Sequence, residues 1–202
     1  MLTIWGRINS HNVKKVVWLA EEIGLPHQRI DMGGQFGFTD AYLAANPNRL
    51  IPTIDDDGFV LWESNAILRY LADRYGPEFQ PADAQQRAAA DKWMDWQFSF
   101  ADAQRNAFIG LVRKKPEERD ENAIAASASA AGKMVAILEA ELERQPWLSG
   151  KRFGIGDIPM GVYIHTWLTL PIERAERPAV KDWYARLRKR EAFDRIAQVP
   201  LT

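Results

Sequence analysis

The chain has 202 residues, 47% of them apolar, which is enough for one large or two small domains with a buried core. Its 26 basic and 27 acidic residues nearly cancel, so the charge predicts no binding to nucleic acid or to an anionic membrane. The absence of cysteine excludes disulfides and thiolate metal sites, and the three histidines lack metal-ligand spacing, so we expect no metal. The sequence shows no signal-peptide pattern and no membrane-length apolar run, which favours a cytoplasmic enzyme or binding protein.

The first 76 residues alternate between strand and helix patterns. Strands are predicted at 2–5, 27–32, 53–55 and 59–62, and helices after Ser10, at 38–45 and at 64–75. The sequence DDDG at 55–58 is typical of a hairpin turn between the last two strands. The order β-α-β-α-β-β-α therefore predicts an α/β domain over residues 1–76.

The rest of the chain is predicted to be helical. Residues 77–82 contain two prolines and are interpreted as a linker, and strand signals largely vanish over 83–202. Helices are expected at about 83–112, 118–144, 157–170 and 178–190. The first of these carries two apolar stripes, whereas one stripe suffices for packing onto a bundle. The second stripe indicates either a central bundle helix, a subunit contact or a wall of an apolar ligand cleft.

A proline begins the third predicted strand. Pro52 follows Ile51, and a cis bond between them would turn the backbone of Ile51 outward. The N–H and C=O of Ile51 could then pair with an extended peptide, as an added strand would. The alternative is an ordinary trans proline, since only about 5–6% of such bonds are cis.

An acid and a hydroxyl stand where the fourth strand gives way to a helix. Ser64 lies at the expected N-cap position, where free N–H groups and the helix dipole favour a carboxylate. Glu63 places a negative charge beside that position, which suits a zwitterion whose ammonium group meets the acid. The alternative is that Ser64 only caps the helix and Glu63 is solvated.

The first helix offers a similar junction at Ser10 and Asn12. A thiolate placed there would receive a hydrogen bond from the serine hydroxyl and the field of the helix end. Since the chain has no cysteine, the thiol must belong to the ligand. A fall of ~2 units from the usual pKa of about 8.5 would make most of it thiolate at pH 7. The alternative is that Ser10 is a plain N-cap.

Together these motifs resemble the soluble glutathione transferase family over essentially the whole chain. The resemblance rests on NPNRLIPTI at 46–54, followed by LWESNAILRYLADRYG at 61–76. In addition, SHNVKKV at 10–16 is similar to the Thr/Ser-x-Asn-x-x-Lys pattern of the bacterial nu-type group, within the serine-type classes. The family resemblance implies a thioredoxin-like N-terminal domain, an all-α C-terminal domain and glutathione as co-substrate.

The resemblance also implies roles for individual residues. Glutathione would be held by the backbone of Ile51 after a cis Pro52, and by Glu63 and Ser64. Ser10 and Asn12 would contact its sulfur, and Gln35 matches a glutamine that contacts glutathione in the nu-type group. Arg49 and Leu50 depart from the family, which often has Gly-Gln, Gly-Lys or Gly-Arg there; we expect weaker binding or a substitute contact from Arg49.

The sequence GIGD places Gly154 at an expected cap and predicts a structural role for Asp157.

The function that the resemblance implies is a homodimeric glutathione transferase, in which Ser10 and Asn12 stabilise the thiolate for attack on a small hydrophobic electrophile. The electrophile would bind in an apolar cleft between the domains. Its walls would be drawn from Trp5, Phe36, Phe100, Phe108 and Trp167, although each residue is more typical of a core than of a ligand contact. Two alternatives stay open: glutathione-dependent reduction of disulfides or peroxides, and a non-catalytic binding protein with the same fold.

Overall fold

The computed structural model describes residues 1–202. Its strands are β1 (Leu2–Trp5), β2 (His27–Ile30), β3 (Thr53–Asp56) and β4 (Phe59–Trp62). Its helices are α1 (His11–Ile23), α2 (Asp40–Ala45), α3 (Ser64–Tyr75), α4 (Ala84–Phe108), α5 (Glu121–Leu142), α6 (Asp157–Thr169), α7 (Pro178–Arg188) and α8 (Glu191–Ala197). The predicted order β-α-β-α-β-β-α, followed by helices alone, is confirmed.

The four strands form one mixed sheet in the order β2-β1-β3-β4. β1 runs parallel to β2, and β3 runs antiparallel to both β1 and β4. Parallel neighbours need a crossover, which α1 supplies, and α1 packs beside α3. The sheet and these helices form a thioredoxin-like domain, which brings the starts of α1, β3 and α3 to one region.

The helical half packs against the first half through α6. Nearly all of α6 is buried, and α6 contacts both α4 and α1. Gly161 allows close approach, because a Cβ atom there would lie 2.9 Å from Cζ3 of Trp18. The main core cluster therefore runs without a break from Ile4 in the sheet to Ile164 in α6 and Trp183 in α7.

The structure differs from the predicted helix limits in three places. α4 ends at Phe108 and continues as one π-helical turn over Ile109–Arg113, and α8 was not predicted at all. The N-cap of α6 is Gly156, not Gly154. The Asp157 carboxylate nevertheless accepts the Gly154 N–H at 3.1 Å, and the Asp157 N–H donates to the Gly154 carbonyl at 3.0 Å, so Gly154 closes a turn just before the helix.

By length and composition alone, α5 could cross a membrane, which the sequence did not predict. In this fold it is a bundle helix that packs along α4 and α7. Its Glu139 carboxylate accepts the N–H groups of Ala179 and Val180 at 3.0 and 2.9 Å, at the start of α7. Glu139 therefore satisfies two helix-start donors that would otherwise have no partner.

Candidate active site

A narrow cavity of about 40 Å³ opens where β3 and α3 begin. Five of the predicted site residues line this groove: Asn12, Ile51, Pro52, Glu63 and Ser64. Three larger clefts lie elsewhere on the surface, and none of them is lined by these residues. The groove is too small to enclose a tripeptide, so a peptide ligand must lie along its surface.

The backbone beside Pro52 has the geometry that the sequence suggested. The Ile51–Pro52 peptide bond is cis. The N–H and C=O of Ile51 take part in no backbone hydrogen bond, although β3 begins two residues later. This main-chain pair is therefore free to bond to an extended ligand.

A buried asparagine fixes the loop that carries these groups. The side-chain amide of Asn46 donates to the Leu50 carbonyl at 3.0 Å and to Thr53 Oγ1 at 2.9 Å. Its oxygen accepts the Asn48 N–H at 3.1 Å. The Tyr42 hydroxyl also contacts Thr53 Oγ1, at 2.8 Å. These bonds connect the end of α2 to the start of β3.

Replacing Asn46 with alanine is expected to lower the free energy of unfolding by about 2 kcal/mol, because the change removes the four hydrogen bonds of a buried side chain. Urea unfolding of the purified variant measures the loss. Asn122, which is exposed on α5, is the control, and its alanine variant should change stability by less than about 0.5 kcal/mol. Equal losses in the two variants would show that Asn46 does not hold the loop.

The start of α3 lies one residue later than predicted. Ser64 is the first helical residue and Glu63 is the N-cap, so the prediction of Ser64 as N-cap was wrong. Neither side chain makes a capping hydrogen bond. Glu63 has φ of 73°, a left-handed conformation that is strained for a residue with a Cβ atom. Strain of this kind costs ~1–3 kcal/mol and concentrates at binding sites.

The start of α1 also presents polar groups without partners. Ser10 occupies the N-cap position of α1, as predicted, but its hydroxyl makes no capping hydrogen bond. The side-chain oxygen of Asn12 is buried and has no hydrogen-bond partner. Because buried polar atoms are nearly always paired, Asn12 indicates a ligand in this groove. Ser10 is half-buried beside the groove and does not line it.

Two further predicted residues lie away from the groove. Gln35 is exposed on a short 3-10 turn over Gly34–Phe36. Arg49 is also exposed, makes no ion pair and has φ of 57°. Neither residue lines the cavity, so a contact from either one would be made from the rim.

The structure does not bring the five predicted cleft residues together. Phe100 is fully buried and stacks on Trp96, so it is a core residue. Trp167 is 3% exposed, lies under the guanidinium of Arg174 and lines a different cleft beside α5. The sequence could not distinguish core residues from residues that line a cleft. An apolar residue on a helix gives the same sequence pattern whether its side chain faces the core or a ligand.

The remaining three, Trp5, Phe36 and Phe108, stay candidates. Trp5 is half-buried, and Phe36 is 49% exposed. The ring of Phe108 meets that of His11 at 5.1 Å. Phe108 therefore lies next to the residue that follows Ser10, whereas the ring of Trp5 contacts that of Tyr42 at 6.1 Å and Phe36 lies on an exposed turn.

The sequence predicted no role for His11, which contacts α6. Its ring stacks on Tyr163 at 4.7 Å, and its Nε2 lies 2.7 Å from Thr166 Oγ1. Burial, with help from the nearby charges of Lys14 and Lys15, lowers the pKa of His11 to about 3. His11 is therefore neutral at physiological pH and joins α1 to α6. Its place between Ser10 and Asn12 was the only sequence signal.

Lys15 is the second residue that was missed. Its side chain is fully buried, and its ammonium donates to Ser64 Oγ at 3.3 Å, to Asn65 Oδ1 at 3.3 Å and to Gln97 Oε1. Burial lowers the pKa of Lys15 to about 7, and the negative charge of Glu63 opposes that shift. Lys15 stands at the lysine of the nu-type pattern, but that resemblance gave it no role, and a charged pair on a helix is typical of a solvated face.

Raising the pH from 7 to 9 is expected to stabilise the wild type relative to Lys15→Met by about 2 kcal/mol. In this range the unfolded chain still holds the Lys15 proton, whereas the folded chain holds it about half of the time at pH 7 and loses it by pH 9, so stability rises with pH. Urea unfolding of both proteins at each pH measures the difference. Parallel pH profiles would show that Lys15 keeps an ordinary pKa. The groups that face it are Glu63 and the neutral His11 and Tyr163, the last with its pKa raised to about 12 by burial.

Comparison with known protein families agrees with this geometry. A family model described as the N-terminal domain of glutathione S-transferase matches residues 9–74, and the corresponding C-terminal domain model matches residues 89–191. The chain belongs to the glutathione S-transferase family. The first model covers the groove residues at the starts of α1, β3 and α3, and the second covers α4 to α7.

Individual members of the glutathione S-transferase family match over nearly their full length. The chain is 43% identical to glutathione S-transferase GstB of Escherichia coli K12, with 100% of both chains covered. It is 31% identical to the disulfide-bond oxidoreductase YfcG of the same organism, over 90% of this chain and 87% of that one. A theta class glutathione S-transferase from Xanthomonas axonopodis pv. citri, solved with glutathione bound, shares 50% identity and a TM-score of 0.96 over 100% and 99% of the two chains.

Proposed function

We propose that this protein is a glutathione transferase that converts the glutathione thiol into a thiolate for attack on a small hydrophobic electrophile. The observation that carries the proposal is the groove itself. It joins the free backbone of Ile51, the unpaired oxygen of Asn12 and the Glu63–Ser64 pair at a helix start. A relative of 50% identity and nearly identical fold was solved with glutathione bound.

Each part of glutathione has a matching group in this groove. The γ-glutamyl carboxylate fits Ser64 and the free N–H groups at the start of α3, while its ammonium fits the exposed carboxylate of Glu63. The cysteinyl backbone fits the N–H and C=O of Ile51. The glycyl end would extend beyond the groove, where we propose that Gln35 and Arg49 contact it, and Arg49 offers the positive charge that Leu50 lacks.

The chemistry follows from the start of α1. The thiol proton of bound glutathione passes to solvent, and the thiolate accepts hydrogen bonds from the Ser10 hydroxyl and the Asn12 amide. The sulfur then forms a bond to an electrophilic carbon as the leaving group departs with its bonding electrons. Acceleration comes from a larger thiolate population and from holding the two reactants together, with Trp5, Phe36 and Phe108 as the apolar contacts for the electrophile. The proposed use of Ser10 supports assignment to the serine-type classes, and the nu-like pattern supports the added role of Asn12.

A second candidate reaction is the reduction of disulfides. One relative, at 31% identity, is described as a disulfide-bond oxidoreductase. A Burkholderia graminis transferase of 26% identity and TM-score 0.84 was solved with two glutathione molecules bound per subunit. In this reaction two glutathione thiols would give up two electrons and two protons to the substrate disulfide, and would leave as glutathione disulfide. The protein then needs no cysteine of its own.

Two measurements on the wild type test these proposals. Calorimetric titration gives the Kd for glutathione, and turnover is compared between an aryl halide and a small disulfide. Aryl-halide conjugation well above the uncatalysed rate supports the transferase, and faster disulfide turnover supports the second candidate. Binding with neither turnover would favour a non-catalytic protein, and no binding would contradict all glutathione chemistry.

We also propose that the protein is a cytoplasmic homodimer. α4 and α5 leave an open apolar cleft of about 650 Å³ that includes Trp93, Trp96 and Ile137. Ile137 is 55% exposed, which is unusual for a large aliphatic side chain unless a partner covers it. Light scattering on the purified protein should give about twice the 23.0 kDa mass of the chain; a monomer at micromolar concentration would contradict the proposal.

A further inference from the structure

The ammonium of Lys15 lies where four helices meet, and the reaction proposed above does not use it. Ser64 and Asn65 approach it from α3, and Gln97 approaches from α4. The ring of Phe98, also on α4, lies 5.6 Å from Nζ, and that of Tyr163 on α6 lies 5.4 Å from it. The side chain is 0% exposed, so water cannot solvate the charge.

The hydrogen bonds of Lys15 involve only neutral partners. Its three acceptors are a hydroxyl and two amide oxygens, and no carboxylate forms an ion pair with it. A buried charge without a counter-ion costs several kcal/mol, and an apolar side chain of the same length would usually be more stable. The missing negative charge therefore points to a ligand.

The direction of these bonds matters for Ser64. A lysine ammonium can only donate, so Ser64 Oγ must accept from Lys15. The hydroxyl proton of Ser64 is then free to point away from Lys15, into the groove that Ser64 lines. Lys15 thus makes Ser64 a hydrogen-bond donor toward the ligand.

We propose that Lys15 is a positioning residue of the glutathione site, which orients the Ser64 hydroxyl and supplies the buried positive charge for the γ-glutamyl carboxylate. Because Lys15 also contacts Gln97, it ties this subsite to the helical half of the protein. The negative charge of Glu63 acts on Lys15. In the complex the ammonium of the ligand would pair with Glu63, so the charge of Lys15 would act on the carboxylate of the ligand. The inference rests on the proposed binding of glutathione.

The first test compares Kd values for glutathione. Lys15→Met should weaken binding by about 10- to 30-fold, as expected for loss of a charge-assisted contact. Lys14→Met is the matched control, because Lys14 is also buried on α1 but donates to the Val199 carbonyl at 3.1 Å, away from the groove. Its Kd should stay within about twofold of wild type. A Lys15→Met Kd within the same twofold would overturn the inference.

The second test distinguishes positioning from mere structural support. The analogue 4-aminobutyryl-cysteinyl-glycine lacks only the γ-glutamyl carboxylate of glutathione. The wild type should bind it more weakly than glutathione, and Lys15→Met should show a smaller difference between the two ligands, because Ser64 and the N–H groups at the start of α3 still contact the carboxylate. An equal loss of affinity for both ligands would show that Lys15 only supports the fold.

Two further variants keep the inference testable if Lys15→Met does not fold. Lys15→Gln removes the charge but keeps polar contacts, and Lys15→Arg keeps the charge, so only the first should lose preference for glutathione over the analogue.

In combination with Ser64→Ala, Lys15→Met should weaken binding less than the product of the single effects, because the two residues act through one contact. Multiplicative effects would contradict it. Failure of the wild type to bind glutathione would instead contradict the proposed function.

Discussion

Replacing Ser10 with alanine is expected to lower kcat/KM for glutathione conjugation by one to two orders of magnitude. The hydroxyl at the start of α1 makes no capping bond, so it is free to donate to the sulfur. If this contact and the helix end together lower the thiol pKa by ~2 units, its loss returns the thiol toward a pKa of about 8.5. Ultraviolet absorbance of the bound thiolate across pH measures this pKa directly.

The same titration on Asn12→Ala decides which residue is the main partner of the sulfur. The variant with the larger pKa increase identifies it, since the Asn12 side chain also lines the groove and its NH2 group can donate to the sulfur. Ser99→Ala, on the exposed face of α4, is the control and should match wild type. Unchanged turnover and thiol pKa in Ser10→Ala would refute its catalytic role, while glutathione binding could still stand.

Replacing Asp157 with alanine is expected to lower the free energy of unfolding by about 3–5 kcal/mol and the Tm by about 10 °C. The carboxylate is fully buried. It accepts the N–H groups of Leu148 at 2.8 Å, Ser149 at 3.2 Å and Gly154 at 3.1 Å, and the indole N–H of Trp183 at 2.9 Å. Alanine leaves all four donors buried without an acceptor.

Asp182→Ala is the matched control for this change. Asp182 lies next to Trp183 on α7 but is exposed and makes no ion pair, so its loss should cost less than about 0.5 kcal/mol. Denaturant unfolding followed by far-ultraviolet circular dichroism measures both variants. If Asp157→Ala were as stable as this control, the carboxylate would not hold the loop before α6.

The sequence predicted the order of elements because local patterns determine it. A continuous apolar run after a hairpin turn marked β4, helical spacing marked α1 and α3, and the cis bond at Pro52 followed from a resemblance in 46–54. Ends of elements were less predictable. Ser64 was assigned as N-cap by residue type, yet the strained backbone of Glu63 places the cap one residue earlier.

Contacts between distant parts of the chain could not be predicted. The partners of Lys15 are 49, 50 and 82 residues away, on α3 and α4. Which side chains line the proposed electrophile cleft depends in the same way on how α4 and α6 pack against the N-terminal domain. Phe100 and Trp5 have equally apolar side chains, but the packing of helices buries one completely and leaves the other half-buried.

The close approach at Gly161 constrains how this molecule can move. Trp18 of α1 packs against the backbone of α6 in the middle of the shared core. A hinge motion between the N-terminal domain and the helical half would have to break this contact. The start of α1 and the face of α6 beside it therefore keep a fixed spacing. Substitutions at the exposed edge of the proposed electrophile cleft can therefore change the preferred electrophile without changing how glutathione is bound.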